Sequence, residues 1–206
     1  MSSHDRTDPA GLLGAAVPEP SDAQLQHLHD RLVASAVDDD LLDVAYQIVP
    51  SPFGPLLVAA SDEGLVRVAF ELEDHEQVLA TLAAEIGPRV LETPVRTAAV
   101  ATQLEEYFDG RRREFDVAVD LRLLHGFRRE VVAQLPSIPY GSTASYGELA
   151  VHAGNPRAVR AVGSACSHNP IPVVLPCHRV VRSDGSIGQY LGGTAAKRAL
   201  LALEAA

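Results

Sequence analysis

The sequence predicts an α+β fold in which strands dominate the first half and helices the second. Three short apolar segments between positions 44 and 70 are separated by turn sequences, a pattern typical of a β-meander. From position 126 onward the chain reads mostly as helix and loop. With 206 residues, 47% of them hydrophobic, the chain is long enough to bury a substantial core.

The first half begins with an extension and continues as an α/β domain. Residues 1–43 form the predicted extension, of which positions 1–22 have the composition of a flexible tail and positions 24–36 the spacing of a short helix. Within this extension His27 and His29 lie too close in sequence to share a helix face, so no metal site is predicted there. The predicted elements of the α/β domain, residues 44–121, are strands at 44–49, 56–60, 65–70 and 114–121 and helices at 75–86 and 94–108.

The second half, residues 122–206, is predicted to contain a helix-turn-helix. Ser145 and Glu148 form a capping box that opens a short helix ending near residue 152. Asn155 is a favourable N-cap and Pro156 a favourable first residue, so a second helix is predicted to continue to residue 167. A further helix is predicted at 127–135, and Thr194 is expected to cap the last helix, at 195–205.

Charge separates the two parts of the chain. The net charge is −10, yet residues 126–206 hold eight Lys and Arg against four Asp and Glu, so this part is modestly basic. Two arginines, Arg157 and Arg160, are predicted on one face of the second helix among small residues. That pattern fits either a helix packed on a neighbour with solvated arginines or a helix that contacts DNA.

Cys177 lies between a proline and a histidine at the end of an apolar segment. A cysteine in this position is often a small core residue. Pro172 and Pro176 remove two backbone donors and fix the backbone φ angle at both positions. A segment that only fills the core needs neither restriction. Thiols react as thiolates, and His178 and Arg179 are candidates to promote ionisation. With only one other cysteine, no visible signal peptide and no apolar run of about 20 residues, the sequence indicates a cytoplasmic protein that does not span a membrane.

Residues 155–163 and 169–180, which read NPRAVRAVG and NPIPVVLPCHRV, resemble the O6-alkylguanine-DNA alkyltransferases. The resemblance is dense from about residue 127 to 204, looser from 43 onward, and absent before that. It implies a ribonuclease H-like α/β domain followed by a mainly helical DNA-binding domain. It also implies a monomer that acts on double-stranded DNA containing alkylated guanine, with no metal or organic cofactor.

The family mechanism implies a role for each matching residue. Such a protein flips O6-alkylguanine, and by extension O4-alkylthymine, out of the duplex and transfers the alkyl group irreversibly to its own cysteine, here Cys177. His178 would act as base through a water, Glu204 would orient His178, and Asn169 would brace the turn that carries the cysteine. Tyr146 would hydrogen-bond the guanine and help it to leave.

The remaining implied residues form a DNA surface and a base pocket. Arg160 would fill the gap left by the flipped base, Arg157 would contact phosphate, and Ala158 and Ala161 would allow close approach to the minor groove. The pocket would comprise Val180, Tyr190, Leu191, Gly192 and Lys197. Leu191 stands where many members carry a small residue and Gln189 where several carry Asn, so the range of accepted adducts stays open.

Two other classes of protein remain open from the residues alone. A DNA-binding regulator that uses Cys177 as a sensor would explain the helix-turn-helix, although it gives no role to Glu204 or to the glycine-rich loop. A cysteine hydrolase would turn over repeatedly. Covalent labelling by O6-methylguanine DNA, and its stoichiometry, separates these classes.

Overall fold

The structure is a computed structural model that describes residues 20–205. The helices are α1 Asp22–Asp38, α2 His75–Glu85, α3 Ala98–Phe108, α4 Gly126–Gln134, α5 Tyr146–His152, α6 Val159–Ser167 and α7 Gly193–Glu204. The strands are β1 Val44–Val49, β2 Leu56–Ala60, β3 Leu65–Phe70, β4 Val90–Glu92, β5 Ala144–Ser145 and β6 Val180–Val181. Short 3₁₀ helices lie at Glu71–Glu73, Leu135–Ser137 and Cys177–Arg179.

The chain divides into two compact units between Asp39 and Asp40. Helix α1 belongs to the first unit, begins at a capping box between Ser21 and Gln24, and is two residues longer at each end than predicted. Its leucines at 25, 28 and 32 are about half exposed. The tail predicted for residues 1–22 lies almost wholly outside the described residues.

The second unit is built around a four-stranded sheet with the order β3-β2-β1-β4. The first three strands are antiparallel and have the predicted bounds, whereas β4 runs parallel to β1 and was not predicted. Every residue of β2 is buried, because both faces of the sheet are covered. Leu57 and Ala59 belong to a core cluster with α2, and Leu56 and Val58 to the larger core shared with the second half.

Two predictions for the first half were wrong. Helix α3 begins at Ala98 and not at Pro94, because the Pro94 carbonyl accepts from both Thr97 and Ala98 in a turn. The predicted strand at 114–121 is an extended segment with a single bridge between Val119 and Leu65. Elsewhere the main chain of this segment hydrogen-bonds to a side chain. The Asp116 N–H donates to Gln103 Oε1, and Gln103 Nε2 donates to the Asp116 carbonyl. Its apolar alternation therefore reflects packing on the core and not a strand ladder.

In the second half α6 packs against α4 and α5, and the capping box of Ser145 and Glu148 is present at the start of α5. Helix α6, however, begins at Val159, three residues later than predicted, because the Asn155 carbonyl accepts from the Ala158 N–H in a turn. Helix α7 begins at Gly193 with Gly192 as its cap, so the prediction of a Thr194 cap was wrong.

An unpredicted parallel strand pair joins the loop before α5 to the segment after Cys177. Ala144 of β5 lies opposite Val180 of β6. The two halves of the second unit also meet here, since the Val68 N–H of edge strand β3 donates to the Pro170 carbonyl at 2.8 Å. These contacts bring the sheet, the helix-turn-helix and the cysteine segment together around one site.

Candidate active site

Cys177 opens a 3₁₀ turn at the end of a fully buried segment, and only 2% of its surface is exposed. Asn169 spans the preceding turn: its Nδ2 donates to the Leu175 carbonyl at 2.8 Å, and its Oδ1 accepts from the Ile171 N–H at 3.1 Å. Within that turn Val173 has a φ of +73°, which is strained for a β-branched residue. The turn that delivers the cysteine is thus held in a costly conformation by a buried amide.

His178, the residue after Cys177, forms a buried pair with Glu204 at the end of α7. The imidazole Nε2 lies 2.8 Å from Glu204 Oε1, and both side chains are essentially inaccessible. A proton on Nε2 is assigned from this bond to a carboxylate, which leaves Nδ1 as the acceptor. Nδ1 is buried and has no partner among residues 20–205. Burial lowers the pKa of His178, so the ring is neutral near pH 7 and able to accept a proton.

Glu204 is held by several donors at once. Arg179 binds it through Nε, 2.9 Å from Oε2, and through Nη2, 2.9 Å from Oε1. The Tyr107 hydroxyl donates to Oε1 at 2.6 Å, and the Gly141 N–H donates to Oε2 at 3.3 Å. Burial by itself raises the pKa of Glu204, but the hydrogen bonds from His178 and Arg179 outweigh it and lower the pKa to about 2. The carboxylate is therefore an anion at any physiological pH.

The sequence indicated Arg179 as a residue that could promote ionisation of the Cys177 thiol, and this expectation was wrong. Its guanidinium is committed to Glu204 and, through Nη1, to the Ile138 carbonyl at 2.6 Å. The cation that favours the Cys177 thiolate is Lys197, a buried residue of α7 whose Nζ donates to the Val180 carbonyl at 2.6 Å.

The Cys177 thiol is protonated at rest. Burial raises its pKa to about 11, although the Asn169 amide and the Lys197 ammonium act in the opposite direction. Burial likewise raises the pKa of Cys166, on α6, to about 12. A base is consequently required to generate thiolate at Cys177, and His178 is the adjacent residue with a free acceptor.

A glycine-rich loop at 187–193 lies beside the site, with the Tyr190 ring edge-on to His178 at a centroid distance of 6.4 Å. A Cβ on Gly188 would lie 2.5 Å from the Tyr146 hydroxyl, and one on Gly192 would lie 2.6 Å from the Phe70 ring, so both contacts require glycine. The Tyr190 ring packs edge-on to Phe70 at 5.6 Å. Its hydroxyl is buried and unpartnered in the part of the chain described.

The residues predicted for the pocket come from this loop and from two other elements, β6 and α7. Val180 lies on β6 and Lys197 on α7, while Tyr190, Leu191 and Gly192 lie within the loop itself. Leu191 is half-buried and packs on the large core. The Val180 carbonyl accepts from Lys197 Nζ and retains one lone pair.

The residues predicted to contact DNA are arranged differently from the prediction. Arg160 is exposed on the first turn of α6, and Ala161 follows it, also exposed. Arg157 and Ala158 precede the helix in the turn, so Arg157 and Arg160 do not share a helix face. The shortened helix thus presents one arginine, and the turn presents the other.

Tyr107 is the site residue that sequence reasoning missed. Val100, Leu104 and Tyr107 recur at helical spacing and form the buried face of α3. Nothing in the local sequence shows that the hydroxyl reaches a carboxylate almost a hundred residues away.

Fold and site together define an α+β protein whose helix-turn-helix half carries a buried cysteine beside a histidine–glutamate pair. Comparison with known proteins finds two family profiles: "6-O-methylguanine DNA methyltransferase, ribonuclease-like domain" over residues 44–121, and the DNA binding domain of the same family over residues 126–206.

Relatives that cover more than three quarters of this chain agree with the profiles. A methylated-DNA–protein-cysteine methyltransferase from Mycolicibacterium paratuberculosis is 41% identical over 78% of this chain and 92% of its own length. One from Methanosarcina barkeri is 40% identical over 77% and 96%. The crystal structure of the Mycobacterium tuberculosis O6-methylguanine methyltransferase matches with a TM-score of 0.69 at 40% identity, over 79% of this chain and 93% of that one. The chain belongs to the methylated-DNA–protein-cysteine methyltransferase family.

Proposed function

We propose that this protein repairs DNA by moving the alkyl group of O6-alkylguanine, and of O4-alkylthymine, irreversibly onto Cys177. The observation that carries the proposal is the buried Cys177–His178–Glu204 arrangement with a free imidazole Nδ1. The thiol proton passes through a bridging water to Nδ1, and the imidazolium is stabilised by Glu204. The sulfur then bonds to the alkyl carbon as the bond from that carbon to O6 breaks.

The leaving guanine gains overall the proton that the thiol gave to His178, and we assign Tyr146 to donate a hydrogen bond to the ring as it leaves. Burial raises the pKa of Tyr146, so its hydroxyl remains a donor at neutral pH. It lies at the first position of α5, directly against Gly188 of the pocket loop. The thioether formed at Cys177 has no route back, which makes the protein a single-turnover reagent.

Access to the lesion requires the base to leave the duplex. We assign this step to α6 and the turn before it, with Arg160 replacing the flipped base, Arg157 on phosphate, and Ala158 and Ala161 at the minor groove. A relative from M. tuberculosis, 38% identical with a TM-score of 0.67 over 78% of this chain and 92% of that one, has a crystal structure described as in complex with DNA, which supports DNA as the partner.

The proposal assigns residues 44–121 to the α/β domain and 122–206 to the DNA-binding and acceptor domain. It places the protein in the cytoplasm as a monomer, with double-stranded DNA as its partner. Across positions 20–205, no helix has the length and apolar character needed to cross a membrane.

The test compares two cysteine variants. Cys177→Ala should abolish methyl uptake from labelled O6-methylguanine duplex while its affinity for that duplex, followed by fluorescence anisotropy, stays near wild type. Cys166→Ala is the matched control, because Cys166 is also buried but has no histidine beside it, and it should label normally. Residual labelling of Cys177→Ala would defeat the assignment.

A further inference from the structure

Tyr107 links the first half of the chain to the proposed catalytic pair. It lies on α3, outside the helical half that carries Cys177, and it is fully buried. Its hydroxyl lies 2.6 Å from Glu204 Oε1 and 3.4 Å from His178 Nε2. We propose that Tyr107 is a positioning residue, whose phenol fixes the Glu204 carboxylate so that Oε1 remains aligned with the imidazole. This inference rests on the proposed roles of His178 and Glu204.

The geometry at Oε1 explains why a third group is needed. That oxygen accepts from His178 Nε2 at 2.8 Å and also from Arg179 Nη2 at 2.9 Å. Arg179 Nε donates to both carboxylate oxygens, at 3.2 Å to Oε1 and 2.9 Å to Oε2, so this contact alone does not select the oxygen that faces the histidine. The Tyr107 hydroxyl supplies a short, charge-assisted bond at the oxygen that serves the histidine. Its loss would leave Glu204 ionised but less well aligned.

The hydroxyl of Tyr107 has no packing function that explains its presence. The ring contacts Phe108, Phe115 and Tyr140, with centroids 5.6, 5.2 and 6.2 Å away, and a phenylalanine would keep all three contacts. Burying a hydroxyl is costly unless it has a partner, and its direct partner is Glu204. Burial, reinforced by Glu204, raises the pKa of Tyr107, so the group remains a donor throughout the working pH range.

The first measurement is the single-turnover rate of methyl transfer at saturating O6-methylguanine duplex. Tyr107→Phe should lower the maximal rate about tenfold, equivalent to about 1.4 kcal/mol of barrier, because alignment is lost while charge is kept. The duplex concentration that gives half the maximal rate should not change, since Tyr107 is buried and lies on α3, outside the segment assigned to DNA. A misfolded variant would instead lose both rate and binding.

Tyr140→Phe is the matched control. It removes the same atom from a neighbouring tyrosine whose hydroxyl donates to the Leu203 carbonyl at 3.2 Å and not to Glu204. Its maximal rate should stay within about twofold of wild type if the effect of Tyr107 depends on the carboxylate. If Tyr107→Phe does not fold, site-specific fluorotyrosine at 107 keeps the packing and changes only the donor strength, and the rate should follow that strength.

A double-mutant cycle with Glu204→Gln decides whether Tyr107 acts through Glu204. In the Gln background, Tyr107→Phe should cost less than about twofold, because the anion that it positions is gone. A full additional tenfold loss would show that Tyr107 acts elsewhere and would overturn the inference. A normal rate for Tyr107→Phe beside a slow Glu204→Gln would also overturn it while leaving the proposed function intact. A normal rate for Glu204→Gln would remove the proposed role of Glu204 itself.

Discussion

Asn169→Ala should destabilise the protein and slow methyl transfer, because Asn169 holds the turn before Cys177. The substitution removes two buried hydrogen bonds. The Ile171 N–H loses the Asn169 acceptor, whereas the Leu175 carbonyl keeps a second donor, the Cys177 N–H at 2.8 Å. The main cost is therefore the unpaired Ile171 N–H, two residues before the strained Val173.

The magnitude follows from those bonds. An orphaned buried donor costs about 1–3 kcal/mol, and the lost bond to Leu175 adds about 1 kcal/mol. We therefore expect the free energy of unfolding to fall by about 3 kcal/mol. In a domain of this size each kcal/mol corresponds to about 2–4 °C, so the Tm should fall by about 6–12 °C.

Urea unfolding followed by circular dichroism measures the change, with the slope against urea concentration checked for constancy. Asn155→Ala is the control, since Asn155 is exposed on the turn before α6. The transfer rate of Asn169→Ala should fall as well, because the thiol lies two residues beyond Leu175, whose carbonyl loses the bond from Asn169. A loss of stability below about 1 kcal/mol would refute the bracing role.

Three further predictions concern charged residues. Glu204→Gln should slow transfer without preventing it. Because the pKa of Glu204 is lowered to about 2, the wild type should lose stability as the pH falls from about 4.5 toward 2. In urea titrations this loss should be smaller in the Gln variant, which keeps only the contributions of other carboxylates such as Asp43, and equal losses would contradict the prediction. Arg160→Ala should impair repair of duplex far more than reaction with free O6-benzylguanine, once the wild-type pocket with Leu191 is shown to admit benzyl; equal losses would exclude the role in replacing the flipped base. Arg157→Ala should weaken DNA binding for all sequences and reduce the salt-dependence slope by about 1, and an unchanged slope would exclude a phosphate contact.

Elements whose ends are set by neighbouring residues in the sequence were predicted correctly. The first three strands have the predicted bounds because turn residues flank each of them, and the capping box at Ser145 formed as predicted. The start of α6 was mispredicted because Asn155 and Pro156 satisfy the rules for a helix start, yet here they form a turn. The segment 114–121 alternates like a strand but packs on the core without a ladder.

Site residues that belong to a sequence motif could be predicted, whereas those that only the fold brings to the site could not. Cys177 and His178 are adjacent in sequence, and the resemblance placed Glu204 beside them. Arg179 was assigned to the thiol because proximity in sequence suggested it, whereas the turn aims its side chain at Glu204. Tyr107 comes from a different half of the chain, and only tertiary packing brings its hydroxyl to the site.

The most direct test of the account is mass spectrometry of the intact wild-type protein after incubation with O6-methylguanine duplex, followed by peptide mapping. We predict one methyl group per chain, located on Cys177, with no further uptake when the duplex is in excess. A methyl group on Cys166, more than one per chain, or demethylated DNA beside unmodified protein would contradict single-use transfer to Cys177.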